Sequence, residues 1–190
     1  MTSVNDLWYL ADEASRQAER TYHRLSERAA MEFETTKHVS RQRFRTVAAR
    51  IRDNGAPYGA HTLVYRPSGH LLLVRHDAVG LWVLPGGETQ PEESFREAAE
   101  RELHEEAGIE ADYGGLGLLG RVQFYADGHE TWGILPVFEA AVGDADPGAV
   151  ELDVADPDGE ISDARWFAEL PEDTRDRPQL RRWRDRRLGV

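Results

Sequence analysis

The sequence predicts an α/β (α+β) protein, a mixed β-sheet with a few helices, preceded by a helical extension. Three observations predict it. Apolar residues recur every three or four places in two N-terminal stretches, the mark of amphipathic helices. From Tyr58 onward, short apolar runs are punctuated by Gly, Pro and Asp, as in strands joined by turns. One strongly helical stretch, from about Gln90 to Ala107, interrupts those strands.

The first helix is expected from about Asn5 to Ala30. Leu7, Leu10, Ala14, Ala18, Tyr22, Leu25 and Ala29 form its apolar stripe, and Ser3 or Asn5 would cap it. A second helix spans about Ser40 to Arg52, with Phe44, Val47, Ala48 and Ile51 on one side and Asn54-Gly55 as its stop. Together they make an extension, residues 1–55, whose stripes should pack on the body or on a second copy. The body, residues 56–190, begins with strands at Ala60 to Tyr65 and His70 to Arg75, joined by Pro67-Ser68-Gly69. Leu81 to Leu84 is a short apolar run that ends at Pro85-Gly86-Gly87. In the helix that follows, Thr89 and Glu92 have capping-box spacing, Pro91 suits the first turn and Gly108 ends it. Strands follow at Leu116 to Tyr125 and Thr131 to Ala141. After an Asp-, Pro- and Gly-rich loop, Gly143 to Asp158, a further strand covers Arg165 to Phe167. A short basic helix, from about Pro178 to Leu188, comes last.

A chain of 190 residues with 40% hydrophobic content can build one domain plus an extension. No run approaches the ~18 apolar residues of a membrane span. Met1 to Arg20 lacks the basic and apolar regions of a signal peptide. The chain has no cysteine, which excludes disulfides, thiolate metal sites and a cysteine nucleophile. The expectation is a cytoplasmic protein with no membrane contact. A net charge of -12 disfavours general nucleic-acid binding. That charge is uneven. Met1 to Asp53 holds ten basic and eight acidic residues, and Pro171 to Val190 holds seven arginines and four acids. The stretch between them has 23 acids against six arginines. Basic flanks around an acidic body suit docking at home, and they also offer phosphate contacts.

The chemistry lies in Gly87 to Ile109, GETQPEESFREAAERELHEEAGI. On the helix, Glu102, Glu105 and Glu106 stand at i, i+3 and i+4 and share a face. Each like-charged exposed pair costs about 0.2–0.5 kcal/mol, and a hard cation reverses that sign. Oxygen ligands without His or Cys suit Mg²⁺. Arg101 sits four residues from both Glu97 and Glu105 and can orient a carboxylate. Gly86 and Gly87 permit tight backbone that brings a carbonyl or N–H close to a metal or phosphate. The helix N-terminus behind them favours anions.

The full spacing resembles the signature of the Nudix hydrolase family: Gly, five residues, Glu, seven residues, Arg-Glu, an apolar residue, any residue, Glu-Glu, any residue, Gly, an apolar residue. Gly87, Glu93, Arg101, Glu102, Leu103, Glu105, Glu106, Gly108 and Ile109 fill every specified place. A chance match in a chain of this length is on the order of one in a hundred thousand. The resemblance covers roughly Tyr58 to Leu170 and implies the Nudix fold, a mixed sheet sandwiched between helices. It also implies a Mg²⁺-dependent pyrophosphohydrolase, with Mn²⁺ as a substitute, acting on a nucleoside-diphosphate-linked small molecule. The resemblance makes Glu105, Glu106 and the Gly86 carbonyl metal ligands, and Glu102 a ligand or the general base. Glu93, Arg101 and Gly87 become supports. Glu160, in GEISDARWF, resembles the family's later loop acid, with Asp158 and Asp163 as rivals. The first 55 residues match no family pattern.

Arg75, Trp82 and Tyr125 are the candidate substrate contacts, with Phe124, Trp132 and Arg121 behind them. An aromatic on a strand is more often core than platform. His104 stands beside the glutamates at the signature's free place and should face solvent. Two other function classes compete: an RNA 5′-phosphate-processing enzyme, kept open by the arginine-rich tail, and a non-catalytic nucleotide-binding module. The isoprenoid-diphosphate isomerase branch is disfavoured by the missing cysteine. A homodimer through the N-terminal helices is the expected assembly.

Overall fold

The computed structural model describes residues 4–143, 152–155 and 159–189. Ser3, a candidate cap, and Asp158, a candidate loop acid, lie outside them, as does most of the loop from Gly143 to Asp158. The elements are α1 (Val4–Leu25), β1 (Ala29–His38), α2 (Arg41–Asn54), β2 (Ala60–Tyr65), β3 (Leu71–His76), β4 (Leu81–Val83), β5 (Gly86–Gly87), α3 (Phe95–Ala107), β6 (Asp112–Ala126), β7 (His129–Ala141), β8 (Ile161–Phe167) and α4 (Arg177–Leu188). They form two compact units, Met1–Gly59 with Leu118–Pro136, and Ala60–Gly117 with Val137–Val190. The first unit therefore draws on both sides of the expected division at residue 55. Among the described residues, no helix is long and apolar enough to cross a membrane.

In the first unit, α1 buries Leu7, Ala11, Ala14 and Ala18, while α2 buries Phe44, Val47, Ala48 and Ile51. Ser40 caps α2 by accepting a hydrogen bond from Arg43 N, and Gly55 ends it with φ of 97°. Only glycine fits at that end. A Cβ on Gly55 would lie 2.6 Å from Thr21 Oγ1 on α1. The far ends of β6 and β7 complete this unit. Thr131 donates to the Ala11 carbonyl at 3.1 Å, and its hydroxyl meets that of Ser15 at 3.0 Å.

The extension is not purely helical, which corrects the expectation. α1 stops at Leu25, and β1 follows after a single 3-10 turn. Its side chains alternate, with Met31 buried, Phe33 and Thr35 half-buried, and Glu32 and Glu34 exposed. That period of two is a strand signal set between two helical patterns. Asn5 also lies inside α1, whose first residue is Val4.

The second unit is organised on β3. It pairs antiparallel with β2, β4 and β8, and β2 runs parallel to β7. β5 adds to β2, with Gly86 opposite His61. All four residues from Leu71 to Val74 are fully buried. An interior strand apolar on both sides is what such placement requires. On one face Val64, Leu72 and Val74 pack with Leu103 and Ala107 of α3. Burying each such side chain contributes about 1.5–3 kcal/mol. This packing fixes where the glutamates of α3 can point.

Two boundaries differ from expectation. α3 begins at Phe95 rather than near Gln90, because Glu92 has φ of 66° and Gln90 to Glu93 form a turn. Its capping box is Ser94 with Glu97, not Thr89 with Glu92. The last strand is longer than expected, starting at Ile161.

Candidate active site

The loop before α3 is held against β2 by its backbone. Thr62 N donates to the Pro85 carbonyl at 2.9 Å. Gly86 has φ of 149°, and a Cβ there would lie 2.4 Å from the Ala60 carbonyl oxygen. A Cβ on Gly87 would lie 2.6 Å from Glu102 Oε1. Glycine at 86 is therefore demanded by close approach to backbone, whereas a Cβ at 87 would push the Glu102 carboxylate aside.

The glutamates of α3 turn toward this loop. Glu106 is buried, at 8% exposure, and its Oε2 accepts from Gly86 N at 2.8 Å. Burying a carboxylate is costly unless it is hydrogen-bonded, and this bond ties helix to loop across twenty residues of chain. Arg101 is the hub of the remaining acids. It donates from Nη1 to Glu102 Oε1 at 2.8 Å and Glu105 Oε2 at 3.2 Å. From Nε and Nη2 it grips both oxygens of Glu93, at 2.9 and 3.0 Å, and Nη2 reaches the Glu88 carbonyl. Glu93 Oε2 also accepts from Gln90 N at 2.7 Å. The Arg101 bonds hold the Glu93 carboxyl below its ordinary pKa, and Glu93 in turn raises that of Arg101.

Three carboxylates, Glu93, Glu102 and Glu105, surround one guanidinium, so the cluster retains a net negative charge. Its donors are carboxylate and peptide oxygens, which fit a hard divalent cation. As the side chains stand, no three His, Asp or Glu among the described residues converge on one metal position. Arg101 occupies the space between Glu102 and Glu105, so seating a cation there requires the acids to turn away from it.

Glu160 lies at the start of β8. Its Oε2 is 3.3 Å from His76 Nε2, and its carbonyl accepts from Asp77 N. Its rival Asp163 is paired with Arg165 at 2.6 Å. Arg75 and Trp82 are neighbours across β3 and β4, and the guanidinium lies 5.8 Å from the indole centre. Asp173 takes up Arg75 at 2.5 Å, and Phe167 meets the Trp82 ring edge-on. Tyr125 belongs to the first unit, where it stacks on His38 at 5.4 Å. In that unit Phe124 is fully buried, and Arg121 lies 4.0 Å over the Trp132 ring. His104 is exposed, as expected from its place in the signature.

Sequence reasoning missed Thr62 and Tyr113. The Tyr113 hydroxyl donates to the Ala99 carbonyl of α3 at 3.0 Å and lies 2.6 Å from Thr62 Oγ1. Nothing in local pattern marks either residue, because the contact joins positions 51 apart in the chain.

The NUDIX domain model matches residues 56–185. A Bacillus subtilis (strain 168) protein with the provisional name 8-oxo-dGTP diphosphatase is 41% identical over 76 residues, 40% of this chain and 51% of that protein. The Escherichia coli (strain K12) CTP pyrophosphohydrolase is 48% identical over 50 residues, 24% of this chain and 37% of that protein. The matched part thus spans about half the length of the first relative and less of the second. The crystal structure of a MutT NUDIX hydrolase from Burkholderia pseudomallei aligns with a TM-score of 0.45 at 26% identity. That alignment covers 66% of this chain and 93% of that one.

Proposed function

Because the chain belongs to the NUDIX domain family, we propose that it is a divalent-cation-dependent pyrophosphohydrolase of a nucleoside-diphosphate-linked small molecule. The observation that carries this reading is the joining of the loop to the helix. Glu106 is bonded to Gly86 N, Glu102 abuts Gly87, and Arg101 gathers Glu93, Glu102 and Glu105. Two similar proteins named for nucleoside-triphosphate chemistry support a substrate of that type, with ADP-sugars and dinucleoside polyphosphates as the other members of the class.

Glu105, Glu106 and the Gly86 carbonyl would hold Mg²⁺ or Mn²⁺, together with Glu160. Bound there, the cation supplies charge neutralisation at phosphate oxygens and a more acidic water. Glu102 is the residue we assign to take the proton as water adds to one phosphorus and the bridging P–O bond breaks. Arg101 and Glu93 keep the acids in register, and Gly87 leaves room for Glu102. Arg75 and Trp82 are the substrate contacts we retain beside this site, with Tyr125 a weaker candidate. We read residues 56–190 as the hydrolase domain and residues 1–55 as its extension, in a cytoplasmic protein.

The decisive experiment is a screen of nucleotide substrates with Mg²⁺, comparing the unaltered protein with Glu105→Gln and Glu106→Gln. Each variant should lose at least ~10²-fold in turnover, the scale of losing a key electrostatic stabiliser. Near-native rates in both would remove the metal assignment.

We also propose a homodimer through the N-terminal helices. α1 buries Leu7, Ala11, Ala14 and Ala18 but leaves Trp8 and Tyr9 more than half exposed. Mass in solution near twice the chain's 21.5 kDa is the expected outcome, and a monomer at every concentration would refute it.

A further inference from the structure

We infer that Thr62 and Tyr113 are positioning residues of this site: together they set the height of α3 over the Pro85–Gly86–Gly87 loop. The inference rests on the hydrolase reading for what is being positioned, and on geometry alone for the positioning itself.

Thr62 is bonded to both halves of the site. Its N–H holds the Pro85 carbonyl at 2.9 Å, immediately before Gly86. Its hydroxyl lies 3.3 Å from the Ala99 carbonyl of α3 and 2.6 Å from the Tyr113 hydroxyl. Tyr113, at the start of β6, reaches the same Ala99 carbonyl at 3.0 Å. Two hydroxyl protons thus serve three contacts, and both residues converge on one carbonyl. Ala99 lies one helical turn before Glu102, so a rigid helix held at Ala99 is held at its glutamates. Thr62 is fully buried, and burial pushes the Tyr113 hydroxyl up to about 12. The phenol therefore keeps its proton, and its donor role, throughout the neutral range.

The need for such a device is visible at the other end of the gap. Glu106 meets Gly86 N at 2.8 Å, and a Cβ on Gly87 would displace Glu102 from its present orientation. A site with those tolerances fails if helix and loop shift by a fraction of an ångström. The Arg96 guanidinium lies over the Tyr113 ring, 5.4 Å from its centre.

The test uses Tyr113→Phe, Thr62→Val and Thr62→Ser in the full chain. Hydrogen exchange at the Gly86 amide, read by NMR, reports the loop–helix bond without metal or substrate. Mn²⁺ titration by calorimetry reports the acids. In Tyr113→Phe and Thr62→Val, Gly86 exchange should rise at least ~10-fold while the Leu72 and Leu73 amides keep their rates. Mn²⁺ affinity should fall about fivefold, and Thr62→Ser should restore both readouts, since one lost hydrogen bond accounts for changes of this size. The inference is overturned if Gly86 exchange is unchanged, or if Leu72 and Leu73 accelerate by the same factor, which is general loosening. If Thr62→Val does not fold, Tyr113→Phe carries the test. An unaltered protein that binds no Mn²⁺, yet whose Gly86 responds as described, would sink the metal reading and leave the positioning role standing.

Discussion

α1 and α3 each bury three alanines and one leucine, yet their charges go to different partners. On α1, Leu7, Ala11, Ala14 and Ala18 face inward. Its polar side chains pair on its outside at i, i+4, Asp12 with Arg16 and Glu19 with His23, with Arg16, Glu19 and His23 exposed and Asp12 half-buried. On α3, Ala98, Ala99, Leu103 and Ala107 face inward, and Glu106 is buried with them. Its charges reach off the helix, to Gly86 N, to the Glu88 carbonyl and to Glu93. Buried or half-buried charge opposes folding unless it is paired. α1 largely avoids that cost, since its paired side chains stay mostly in water and the half-buried Asp12 has Arg16 beside it. α3 accepts it at one end only, where a glycine loop supplies the partners. Position of charge, not period of apolar residues, separates a helix that only packs from one that can do chemistry.

The sharpest way to break this comparison is Gly87→Ala. The added methyl would come 2.6 Å from Glu102 Oε1 and 2.7 Å from its Cδ. Those atoms end a flexible side chain, so the fold can yield cheaply by turning Glu102 aside. The expected outcome is a turnover loss of about 10²-fold, the cost of an ångström-scale misplacement, with thermal stability nearly unchanged. Full activity would show that the orientation of Glu102 is irrelevant to the reaction.

α2 and α3 differ in how far they can be read from residues alone. The inner face of α2 is legible: the sequence puts Phe44, Val47, Ala48 and Ile51 on one side and all are fully buried, because a 3.6-residue period with a clear stop leaves little choice. The glutamate face of α3 was legible because its spacing is rigid. The start of α3 was not. Thr89-x-x-Glu92 and Ser94-x-x-Glu97 are both capping boxes on paper. The left-handed φ at Glu92, which decides between them, is set by the loop around Glu93 and Arg101. β1 was hidden because its alternating Met31, Phe33 and Thr35 follow a helix without a strong breaker. Arg101 as a four-way hub, and Thr62 with Tyr113, depend on contacts between distant positions, which no local pattern encodes.

A second test loads α1. Ala14 has no exposed surface, and Ala14→Leu forces three extra heavy atoms into a packed face. Overpacking of this kind costs about 1–3 kcal/mol. The expected outcome is a clear drop in Tm with turnover unchanged at temperatures where the protein stays folded. A fall in turnover matching the Gly87→Ala loss would mean that α1 is not merely a packing helix.

The smallest effect is expected from Arg16→Leu on the outer face of α1. Arg16 bonds Asp12 at 2.8 Å, but its side chain is 69% exposed. In water the Coulomb gain of such a pair is nearly balanced by the entropy of holding two long side chains together. An i, i+4 pair of this kind contributes about 0.3–0.5 kcal/mol. Leucine also keeps good helix propensity, so the backbone should not object. For a chain of this size the change in Tm should stay below about 2 °C. What remains should vanish in 1 M salt, where the screening length falls to about 3 Å. Thermal melts at low and high salt measure both quantities. A loss above ~1 kcal/mol that survives salt would show that Arg16 makes a contact other than the solvated pair. The charges of α1 would then not be set apart from those of α3 by their solvation.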